Sequence, residues 1–65
     1  MKIELNGQQT ELAAATLDQA LEELGYSGAV VATAVNGDFV PRGARTETLL
    51  SDGDRLEVIA PLQGG

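Results

Sequence analysis

The 65-residue chain contains no cysteine and no histidine. Without cysteine there is no disulfide staple, no thiolate metal site and no thiol nucleophile. Without histidine the chain lacks the usual general base near neutral pH and the commonest metal ligand. Ser27 and Ser51 therefore have no base to activate them, and an enzyme acting alone is not expected. Aromatics are scarce: Tyr26 and Phe39 are the whole supply, so the core must be built from Leu, Val, Ile and Ala. Positive charge is scarce too. Lys2, Arg42, Arg45 and Arg55 stand against ten acids, for a net charge of −6. That balance argues against nucleic acid or an anionic membrane as partner and suits a basic patch on another protein. No run approaches the apolar length of a membrane span. The N-terminus alternates charged and apolar residues, unlike a signal peptide, so the expected location is the cytoplasm.

The length means one domain. A chain of this size buries only about 60% of the surface its unfolded form exposes, which leaves no room for a deep catalytic cleft with its own supporting core. The acids do not suggest a reactive site either. Asp52 and Asp54 flank Gly53 as in a plain turn, with too few oxygen ligands nearby for a calcium loop. Glu22 and Glu23 are adjacent on a helix and cannot face one another. "NGDFVPRG" lacks the strand–loop–helix setting of a phosphate-binding loop.

What is present is a clear sequence of elements. In "MKIEL", Ile3 and Leu5 alternate with Lys2 and Glu4, as in a half-buried strand. Asn6–Gly7 is a strong type I′ hairpin signal, with a return strand near residues 8–12. Thr16 and Gln19 form a capping box for a helix over about 17–24. Its apolar stripe is Leu17, Ala20, Leu21 and Leu24, and Gly25 closes it in the left-handed conformation. Residues 30–35 are apolar on both faces except Thr33 and read as an interior strand, one face under the helix and the other under a loop or offered to a partner. A second Asn–Gly turn, at 36–37, leads to a short fourth strand that Pro41 keeps at an edge. Residues 42–50 read as a loop with one helical turn, anchored by Leu49 and Leu50. "SDGD" is a turn, and "RLEVIA" is a last strand with Leu56, Val58 and Ala60 on one face and Arg55, Glu57 and Ile59 on the other.

The order β-β-α-β-β-β predicts an α+β fold: one helix across a mixed sheet of four to five strands, the first and last strands parallel at its centre. This is the β-grasp, or ubiquitin-like, arrangement. The expected domain is 1–60, followed by a flexible tail at 61–65.

The tail reads "PLQGG". Glycine has no side chain, so Gly64 and Gly65 can enter a narrow channel and let another backbone approach closely. The α-carboxylate of Gly65 is then an unhindered nucleophile for a nucleotide phosphate.

Four stretches, "MKIELNG", "AVNGDFVPR", "DGDRLEVIA" and "QGG", resemble in order and spacing the ThiS family, the ubiquitin-like sulfur carriers of thiamine biosynthesis. The resemblance implies a β-grasp fold and an adenylation of the C-terminal glycine, here Gly65, by a ThiF-like enzyme that uses ATP. No cofactor is bound by the carrier itself. The acyl-adenylate becomes a thiocarboxylate, with sulfur from a cysteine desulfurase relay, and the thiazole synthase ThiG takes the sulfur. Leu62, Gln63 and Gly64 would thread the partner, and Ile59 and Arg55 are the expected surface contacts at the root of the tail. Arg42 is expected to be solvated. Family members often carry an aromatic residue in the loop after "VPR", where this chain has Arg45.

Three other readings use the same features. A sulfur carrier could serve another pathway, molybdopterin or amino-acid sulfur; the molybdopterin carriers share "DGD", the Gly-Gly end and a proline before the tail. A ubiquitin-like protein modifier would join Gly65 to lysine amines. A binding domain with an incidental tail would lose nothing when Gly65 is removed. In each case the chain is expected to be a monomer that forms hetero-complexes transiently.

Overall fold

A computed structural model describes residues 1–60; the expected tail, with Leu62, Gln63, Gly64 and Gly65, lies outside the described residues. Five strands form one sheet: β1 (Lys2–Leu5), β2 (Gln8–Glu11), β3 (Ala32–Val35), β4 (Asp38–Val40) and β5 (Arg55–Ile59). Their spatial order is β2-β1-β5-β3-β4. β5 is central and runs parallel to β1, with Glu4 opposite Arg55 and Leu5 opposite Leu56. Every other pairing is antiparallel. Parallel neighbours need a long crossover. The helix α1 (Leu17–Glu23), the β3–β4 hairpin and a 3-10 helix (Arg42–Glu47) provide it.

Both Asn–Gly pairs make the tight turns expected of them. Asn6 and Gly7 have φ of 48° and 84°, and Asn36 and Gly37 have 50° and 86°, the positive pair that a type I′ turn requires. The helix starts on the capping box: Gln19 N–H donates to Thr16 Oγ1 at 3.2 Å, and Thr16 N–H donates to Gln19 Oε1 at 3.3 Å. It covers one face of the sheet. Leu17, Ala20 and Leu21 pack with Ile3, Leu12, Leu56 and Val58 in the core. Burial of each large side chain contributes roughly 1.5–3 kcal/mol.

Two expectations need correction. Leu49 does not anchor the loop. Thr48–Leu50 runs extended beside the start of α1, with Leu17 N–H donating to Thr48 O and Leu50 N–H to Ala15 O. Alternation along that extended segment turns Leu50 into the core and leaves Leu49 72% exposed. The third strand is also shorter than 30–35. It starts at Ala32, and Val30 lies outside it, exposed.

Thr33 is the more informative surprise, because the one polar residue of that apolar stretch is buried. Its hydroxyl donates to Val40 O at 2.8 Å and accepts from Arg45 Nε at 3.1 Å. Arg45 is itself buried, and its Nη2 donates to Val31 O at 2.6 Å. Arg45 therefore closes the inner face beside α1 and ties the 3-10 helix to β3. Arg42, one turn earlier, is exposed as expected.

Candidate functional site: the open face of the sheet

The face of the sheet turned away from α1 has no covering layer among the described residues. Strand alternation decides which side chains it carries. In β5, Leu56 and Val58 point to the core, so Arg55, Glu57 and Ile59 point outward. Register then places their neighbours: Ile59 stands opposite Ala32, Glu57 opposite Ala34, and Ala34 opposite Phe39.

This arrangement divides the face in two. On the β3–β4 side, Ile59, Ala32, Ala34 and Phe39 form an apolar surface bordered by Glu57, with Val30 just before the start of β3. Ile59 is 60% exposed, Phe39 69% and Val30 74%. A shallow depression of about 280 Å³ is lined by Val30, Val31, Ala32 and Ile59. Exposed apolar groups set side by side, unlike scattered ones, mark a surface for another molecule. On the β1–β2 side the face is charged and polar, with Lys2 opposite Glu11 and Glu4 between Gln9 and Arg55.

The sequence-predicted contacts fall on different halves. Ile59 is the last residue of β5 and lines the apolar depression, directly before Ala60. Arg55 shares its face but begins the strand, about 13 Å away at the rise of an extended chain. It belongs to the polar half beside Glu4, not to the root of the tail. Val30 and Phe39 were not singled out from sequence. Phe39 alternates with the buried Val40, but a three-residue strand gives alternation little to work with.

Hydrogen bonds from both turns hold β5. Asn36 Oδ1 accepts from Arg55 N–H at 2.9 Å, and Asn36 Nδ2 donates to Asp54 Oδ1 at 3.0 Å. Asn6 Oδ1 accepts from Val58 N–H at 3.0 Å, and Asn6 Nδ2 donates to Val58 O at 3.2 Å. Asp52 and Asp54 serve the adjoining turn: Asp52 Oδ1 accepts from Lys2 N–H and Asp54 Oδ2 from Ser51 N–H, both at 2.7 Å. Asp54 is thus an acceptor within the turn, and Asp52 ties the turn to β1. Among the described residues no helix is long and apolar enough to cross a membrane.

Comparison with known proteins agrees with this architecture. A crystal structure of the thiamine biosynthesis protein ThiS from Geobacter metallireducens superposes with a TM-score of 0.84, at 28% identity and with both chains fully covered. A solution structure of a thiamine biosynthesis protein from the same organism gives 0.81, at 26% identity, over the whole of this chain and 88% of the other. A thiazole synthase of Paramagnetospirillum magneticum is 35% identical over 66 residues. That similarity covers all of this chain, which spans about a fifth of the relative's length (20%). The ThiS family model matches residues 3–65, and the chain belongs to the ThiS family.

Proposed function

We propose that this chain is a sulfur carrier for thiazole formation in thiamine biosynthesis, a co-substrate of partner enzymes and not a catalyst. The observation that carries the reading is the match to the ThiS family through Gly64 and Gly65, on a domain whose exposed apolar surface lies where β5 leads into that tail. Gly65 supplies the reacting group. Its carboxylate oxygen attacks the α-phosphorus of ATP in a ThiF-like enzyme, and pyrophosphate leaves. The terminal sulfur of a persulfide on a cysteine desulfurase relay then attacks the acyl carbon and AMP leaves; a thiol next attacks the relay's own sulfur in the resulting acyl disulfide, so that a disulfide forms and a thiocarboxylate remains. A thiazole synthase of the ThiG type takes that sulfur. Splitting one difficult substitution into two easier ones is the logic of covalent activation.

Docking and chemistry are separate in this scheme. Ile59, Phe39 and Val30 meet an apolar surface on the activating enzyme, and the net charge of −6 favours a partner with a basic rim. Leu62, Gln63 and Gly64 then thread toward the reacting centre. The thiamine pathway is preferred over a molybdopterin carrier or a protein modifier because two solved structures that this chain resembles are thiamine biosynthesis proteins. The thiazole synthase relative supports the same choice, since it contains a segment similar to this whole chain.

Intact-protein mass spectrometry tests the proposal. After incubation with ATP, a ThiF-like enzyme and a sulfide source, the chain should gain the mass of one oxygen replaced by sulfur, and the chain lacking Gly65 should not. No gain with an enzyme active on its own carrier would sink the reading.

A further inference from the structure

Asn6 lies at the first hairpin turn, yet its side chain serves the far end of the central strand. β1 pairs with β5 only as far as its own length allows. Glu4 N–H donates to Asp54 O and Asn6 N–H to Leu56 O, both at 2.9 Å, and then the chain turns away through Gly7. The N–H and C=O of Val58, two positions further along β5, face the side that β1 has left. The Asn6 amide satisfies both, accepting at 3.0 Å and donating at 3.2 Å. It stands in for one residue of missing strand. Val58 is followed by Ile59, the last strand residue, and then by the exit at Ala60.

We propose that Asn6 is a positioning residue for transfer at Gly65: its amide fixes the direction in which the chain leaves β5. This rests on the reading that Gly65 is delivered into a partner's active site. Among the described residues the last one held by the sheet is Ile59, six residues before Gly65, and six residues span at most roughly 20 Å. A change of direction at the root therefore shifts the region into which the carboxylate can be delivered. Reaction rates are steep in such placement, with about a hundredfold loss for a misplacement of ~1 Å. Docking through Ile59, Phe39 and Val30 does not need the Asn6 amide. Its loss should therefore lower kcat and spare KM.

Asn36 provides the control. It occupies the equivalent turn position, with φ of 50° against 48° for Asn6. It also makes two side-chain hydrogen bonds, but at the start of β5. Glycine at either position keeps the positive φ and removes the amide.

The experiment compares the full chain with Asn6→Gly and Asn36→Gly in pyrophosphate release by a ThiF-like enzyme, at a temperature where all three are folded by circular dichroism. Amide exchange at Val58 is followed in the free proteins. The expected result is a fall in kcat of about tenfold for Asn6→Gly, KM within about twofold, faster exchange at Val58, and unchanged kcat for Asn36→Gly. Faster exchange at Val58 with unchanged kcat in Asn6→Gly overturns the positioning role and leaves a structural one. An equal fall in kcat for Asn36→Gly overturns it as well, since the effect would then be general loosening of the sheet. If the unmodified chain releases no pyrophosphate, the carrier reading fails and the role of Asn6 within it falls with it.

Discussion

Arg45 Nε donates to the hydroxyl of Thr33 at 3.1 Å inside the molecule, and no carboxylate completes the arrangement among the described residues. The guanidinium is held by neutral oxygens, Thr33 Oγ1 and Val31 O. Removing a charged donor from a buried site leaves its acceptors unpaired, which costs about 1–3 kcal/mol for each such group. A small domain has little stability in reserve. Arg45→Ala should therefore lower stability by about 2–4 kcal/mol, read as a fall in the urea midpoint. Arg45→Lys should recover little, because one ammonium cannot reproduce the fork that reaches both oxygens. A midpoint unchanged in Arg45→Ala would mean that these hydrogen bonds contribute nothing net.

Ile59 offers the opposite case, a large apolar side chain whose replacement should leave the fold intact. It is 60% exposed and packs in no core layer. Ile59→Glu should shift the melting temperature by only a few degrees, as surface substitutions do. It should nevertheless raise KM for the activating enzyme about tenfold or more, because an acid placed at the centre of an apolar contact loses at least ~1.4 kcal/mol of binding. The kcat at saturation should change little. If KM stayed the same while Arg55→Glu raised it, the docking surface would be the polar half of the face instead.

The contrast between these residues shows what was legible in the sequence. Strong local rules survived intact. Asn6–Gly7, Asn36–Gly37 and the Thr16–Gln19 box are each set by backbone chemistry within a few residues, and each appears as expected; the alternation of β5 holds through Ile59, but Ala60, expected on the core face, lies beyond the strand and is exposed. The topology followed, since few arrangements of one helix and five short strands satisfy both hairpins and a parallel closure. Arg45 and Thr33 were not legible, because their burial depends on a contact across twelve positions of sequence that no local pattern encodes. Leu49 was misassigned for a similar reason. Its exposure follows from an extended pairing with the residues before α1, a tertiary relation that a run of two leucines does not announce. The apolar half of the open face was half visible: Ile59 came from alternation, whereas Phe39 and Val30 joined it only once the register was known.

Separation of docking from chemistry makes a further prediction that does not depend on sulfur transfer itself. A chain lacking Gly65 keeps every described element of the domain, including Ile59, Phe39 and Val30. It should dock on the activating enzyme without reacting. It should therefore inhibit adenylation of the full chain competitively, with an inhibition constant within about threefold of the KM of the full chain, a difference of roughly 0.7 kcal/mol. Adding Ile59→Glu to the shortened chain should weaken that inhibition about tenfold or more. The measurement is pyrophosphate release at several concentrations of full chain and inhibitor. If the shortened chain did not inhibit, binding would reside mainly in the tail, and the open face would have to be assigned another role.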